Sequence, residues 1–226
     1  MAVTNSDARP NLAQLILVPS LFTLAVTILR LVGELQQWSP RLFGTGAGGG
    51  GGAIVGISWL PIFFGPYFAL KLAGVDLGPA SKGKAVGLAL AGLPVMVLGG
   101  FVVFKGLTAG GGTIAILGFL IIFGAGFVAR AGWQALGTTL FAYGFAARIP
   151  VLIVMFIAMQ AGWTTHYSAI PPGPFASAPF WKQFVDLAFF PQMFLWVGYT
   201  VVVGAVFGTI VAAIARRGKK TMPAAA

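Results

Sequence analysis

Ionisable side chains beside or within long apolar runs that could carry chemistry include Arg30, Glu34, Arg148, His166 and Asp186. His166 is the only histidine, in the stretch GWTTHYSAIPPGPF (Gly162–Phe175). One imidazole supplies one ligand, whereas a protein-only metal site usually takes three or four. No metal site and no bis-histidine haem site is therefore expected within one chain, and no cofactor is assigned. The expected role of this stretch is an ordered cap at the membrane surface. In that role His166 and Tyr167 bond loop carbonyls, and Trp163 and Tyr167 lie at the interface, apolar in body and polar at one end. The prolines that follow fix backbone angles. A proton-sensitive or ligand-contacting His166 is the alternative.

Arg148 falls inside an apolar run, and an intramembrane arginine is a functional candidate by default. It could hold an anionic headgroup or substrate, or pair with a carboxylate. The four acids, Asp7, Glu34, Asp76 and Asp186, read as lying in tails, loops or span ends. No acidic proton relay is expected, and snorkelling of Arg148 to the inner surface is preferred. Arg30 and Glu34 stand at i and i+4, facing each other on a continuing helix. At a helix end such a pair reads as surface decoration. Gly204 and Gly208 form a GxxxG that lets another helix approach closely.

Nucleophilic chemistry finds little support. There is no cysteine, so thiolate chemistry and disulfides are excluded within the chain. Gly-x-Ser-x-Gly and paired acids are missing. The expectation is a non-enzyme, with a lipid-modifying enzyme around His166 and Asp186 as the least favoured reading.

These residues are positioned by oily segments. Of 226 residues, 58% are hydrophobic and 8% charged, too few charges to coat a soluble fold of this size. Mean hydropathy is +0.93. Apolar runs near the bilayer-spanning length of about 20 residues recur. They predict an all-α polytopic bundle, several of its helices proline-kinked. Six spans are expected, over residues 12–31, 53–72, 85–104, 107–128, 136–160 and 187–215, with an outer loop over 161–186 and one membrane domain over 1–226. Alternation over about ten residues, the mark of a membrane barrel, is missing.

The fifth region allows two arrangements. One is a long helix from Leu136 to Gln160 bent at Pro150, with Arg148 snorkelling or paired inside the bundle. The other starts a span near Ile149 and leaves Arg148 among headgroups. The long helix is preferred.

The net charge of +10 is spread singly between apolar runs, apart from the cluster Arg216, Arg217, Lys219 and Lys220. That pattern fits anionic lipid headgroups rather than nucleic acid. With six crossings, nine basic residues fall on the side of the termini and four on the other. The positive-inside rule then predicts cytoplasmic termini, in a cell inner membrane. By function class, a non-enzymatic accessory subunit comes first, packing against lipids, other membrane subunits or further copies of itself. A small-solute or anion channel or transporter using Arg148 comes second.

Overall fold

Lipid offers no hydrogen bonds, so an apolar run must close its own backbone bonds by coiling. The computed structural model, which describes residues 11–46, 53–108, 112–173 and 175–215, is built on that solution. It is all-α, with no strand among the described residues. The helices are α1 (Leu12–Leu35), α2 (Pro61–Gly74), α3 (Lys82–Thr108), α4 (Gly112–Gly132), α5 (Gln134–Ala161) and α6 (Phe180–Ala215). All except α2 are long and apolar enough to cross a membrane. The basic cluster at 216–220 and most of the glycine tract, residues 47–52, lie outside the described residues.

Burial is inverted relative to a soluble protein. On α1 the apolar Leu17, Val18, Leu21 and Phe22 are exposed, whereas Thr23, Thr27, Arg30 and Glu34 are at most 5% exposed. An oily exterior around a polar seam suits lipid tails outside and satisfied polar groups inside. Thr23 and Thr27 donate to the Pro19 and Thr23 carbonyls one turn back, and the Thr23 and Tyr143 hydroxyls share a 2.8 Å hydrogen bond. The polar face of α1 is thereby fixed against α5.

The helix α2 departs from the simple span expected over 53–72. Its 14 residues reach only about 21 Å at 1.5 Å per residue, against a hydrocarbon core of about 30 Å. Before it, residues 53–60 run as irregular turns. Irregular backbone at membrane depth is tolerated where it is enclosed by protein or lines a cavity, and Gly56, Ile57 and Ser58 line one.

The centre is α6, which packs against α2, α3, α4 and α5. Its contact with α2 needs small residues: a Cβ on Gly208 would lie 2.7 Å from the Gly65 carbonyl oxygen, and one on Gly65 would strike the Gly204 backbone. The GxxxG thus meets a glycine within the same chain. Around this contact lie Phe68 of α2, Leu136, Leu140 and Tyr143 of α5, and Val201 of α6, all at 1% exposure or less.

The helix α5 is continuous through Pro150 and ends where Gly162 takes φ 64°, a left-handed cap that glycine adopts without strain. The helix α6 begins earlier than expected, at Phe180, and widens into π-helical turns at Val185–Phe189 and Pro191–Leu195. Pro191 has no N–H to donate, and its ring would crowd the carbonyl four residues back in a regular helix. A wider turn relieves that crowding. Such bulges turn side chains away from the regular helical sequence of faces.

Candidate functional site

A cavity of about 400 Å³ opens between α1, the irregular segment before α2, α3, α4, α5, the loop residues 166–171 and the π-helical part of α6. Arg30, Arg148, His166, Tyr167, Asp186 and Gln192 all face it. Residues that the chain separates by more than a hundred positions are thus brought to one place.

Arg148 stands midway along α5, 5% exposed, inside the bundle rather than snorkelling to a surface. Its Nη1 lies a long 3.5 Å from Gln192 Oε1. Its guanidinium stacks over Trp196, 4.6 Å from the ring centroid. Its Nε is buried and makes no hydrogen bond among the described residues, and no carboxylate pairs with it there. Gln192 is aligned from behind, its Nε2 donating to Met155 sulfur at 3.4 Å. The contacts of Arg148 are thus one amide and one aromatic face, whereas a charge at the centre of a bilayer costs about 2.5–3.5 kcal/mol on insertion scales.

Arg30 and Glu34 require a correction. They are not surface decoration, because His166 and Tyr167 of the loop after α5 cover this part of α1 and both side chains are almost wholly buried. Arg30 Nε donates to Glu34 Oε1 at 2.7 Å and Nη2 to the Gly44 carbonyl at 3.2 Å. Glu34 Oε2 accepts the His166 backbone N–H at 2.8 Å, and Oε1 lies 2.5 Å from His166 Nδ1. One buried carboxylate therefore serves a guanidinium, an imidazole and a backbone amide.

His166 and Tyr167 also differ from the cap expected of them. Their partners lie on α1: Glu34 for the imidazole, and the Thr27 carbonyl, which accepts from the Tyr167 hydroxyl at 3.3 Å. Burial pushes the His166 pKa below its ordinary value, against the opposing pull of Glu34. Burial pushes the Tyr167 phenol up, so it stays protonated. Trp163 is half-buried and packs beside Val151, Ala158 and Tyr167. Within the loop, Ser168 donates to the Trp163 carbonyl. Asp186 faces the same cavity as His166, but its partner is Lys182 Nζ at 2.6 Å. Among the described residues no three His, Asp or Glu side chains come together to hold a metal.

Two of these features had a sequence signal. Thr23, Thr27, Arg30 and Glu34 recur at spacings of four, three and four, one face of a helix. Gln192 is a lone amide in an apolar run. Trp196 had none, because its approach to Arg148 depends on the wide turns of α6.

Fold and site together define an integral membrane protein of the polytopic α-helical class, with a largely apolar cavity that carries a few polar and charged groups within the bundle. No family model matches this chain, and comparison with curated proteins and with solved structures returns no match.

Proposed function

We propose that this protein binds a small anionic solute at Arg148 and serves as a channel or transporter for it. The observation that carries this reading is a buried guanidinium with no carboxylate among the described residues, lining a cavity large enough for a ligand. Guanidinium is the group best suited to bidentate capture of a carboxylate or phosphate. An accessory subunit that only packs against partners does not require such a charge in its interior. A lipid-modifying enzyme built on His166 and Asp186 would need the two to act together, whereas His166 Nδ1 meets Glu34 and Asp186 meets Lys182. The broken second crossing adds support, since solute sites of transporters often form where spans are interrupted. With cytoplasmic termini, the cavity would face the outer side of a cell inner membrane.

The test is anion flux in proteoliposomes holding the full chain, with chloride, acetate and benzoate as probes. Flux of at least one anion above protein-free vesicles is expected, falling by roughly tenfold or more in Arg148→Gln, about 1.4 kcal/mol of lost interaction. Flux at the protein-free level for every probe, without anion-dependent stabilisation of the purified protein, would overturn the proposal.

A further inference from the structure

We infer that the ligand is a monoanion carried on a compact apolar body, rather than an inorganic anion or a dianion. The inference rests on Arg148 being a ligand-binding group and adds the class of ligand it takes.

Charge balance in the cavity supplies the first half. The Arg30 charge is met by Glu34 and the Asp186 charge by Lys182. His166 is held to Glu34, and its burial favours the neutral imidazole. Tyr167 keeps its proton. Arg148 is left as a single positive charge without a carboxylate among the described residues. One negative charge satisfies it. A second would be desolvated without a cation to meet it, at a cost of several kcal/mol per unpaired buried charge.

The remaining walls supply the second half. Val26 of α1, Val103 and Leu107 of α3, Phe119 of α4 and Leu195 of α6 line the same cavity. A hydrated ion such as chloride or phosphate would leave these walls against water, whereas a ring or short chain covers them. The volume of about 400 Å³ lies at the lower end of the about 300–1,000 Å³ usual for small-molecule sites. A single-ring or medium-chain carboxylate fits, and a whole diacyl lipid exceeds it. The same chemistry could arrive as a free solute or as a singly charged lipid headgroup with the upper part of its chain.

The experiment titrates the full-length protein at constant ionic strength and pH 7.5, in detergent and in phosphatidylcholine nanodiscs, reading thermal shift and calorimetric Kd. The probes share a ring or a charge: benzoate, phthalate, acetate and benzamide. Benzoate is expected to bind roughly tenfold or more tighter than each of the others. Arg148→Gln should remove that preference over benzamide. If that variant fails to fold, Leu107→Trp, which narrows the apolar part, should weaken benzoate more than it weakens acetate. Phthalate or acetate binding as tightly as benzoate would overturn the ligand class while leaving the anion site standing. Absence of binding by any anion would overturn both. Adding phosphatidylglycerol to the nanodiscs separates the sources. Competition with benzoate supports a lipid headgroup, and undiminished benzoate affinity supports a free solute.

Discussion

The Glu34 carboxylate grips His166 at two points, accepting its backbone N–H at 2.8 Å and meeting its Nδ1 at 2.5 Å, across 132 positions of chain. The same carboxylate holds Arg30, so it ties the end of α1 to the loop that roofs the cavity.

Glu34→Ala leaves Arg30 and the His166 amide buried with their shared acceptor gone. Removing one partner of a buried pair destabilises by about 3–5 kcal/mol. Thermal unfolding in detergent should show a large fall in Tm, with early proteolysis in the 162–179 loop. Retention of wild-type Tm would mean the clasp contributes no stability.

The clasp should also respond to pH. The groups facing His166 are Glu34 and Arg30 of α1 and Tyr167 of its own loop. Burial outweighs the Glu34 attraction and holds the imidazole pKa below its ordinary value, which is about 6.5. The unfolded chain then takes up the proton at higher pH than the folded one, so acid favours unfolding. Stability from neutral His166 is complete above about pH 6.5 and is lost as pH falls through the lower folded-state value. The Tm of the wild type should drop between pH 7.5 and 5 more steeply than that of His166→Asn. Equal slopes would refute the assignment.

Arg148 should trade stability for binding. Without an added anion, Arg148→Met removes a buried charge whose compensation is partial, and it should melt at or above the wild-type temperature. With benzoate added, only the wild type should gain Tm. A marked loss of stability in Arg148→Met, with no anion response in the wild type, would make Arg148 a structural residue.

Gly65 meets Gly204 and Gly208 at backbone distance. Gly65→Leu or Gly208→Leu forces α2 away from α6, an overpacking of about 1–3 kcal/mol or more. Either variant should lower Tm and yield, whereas Gly100→Leu, where an added Cβ meets open space, should behave as wild type. Wild-type stability in Gly65→Leu would exclude the close contact.

Orientation can be read by chemistry because the chain has no cysteine to mask. Thr164, beyond the end of α5, and Ser81, before α3, are both exposed. Under the positive-inside rule Thr164→Cys should react with an impermeant maleimide on intact cells, and Ser81→Cys only after lysis. The reverse pattern would invert the membrane side assigned to the cavity.

Much of the fold was determined by composition and periodicity alone. Apolar runs of spanning length can satisfy their backbone only by coiling in lipid, so the all-α bundle follows from local chemistry. The continuity of α5 through Pro150 also agreed with the preferred sequence reading. The site was not local in that sense. That Arg30 and Glu34 are buried depends on a loop 132 positions later, and the i, i+4 spacing is the same for a surface pair and a roofed one. That Arg148 faces a cavity depends on the short α2, on the wide turns around Pro191 and on Gln192 and Trp196 arriving opposite it. Hydrophobic pattern specifies which segments leave water. Which polar groups then meet is decided by packing between helices, since lipid tails solvate the oily faces without selecting among them.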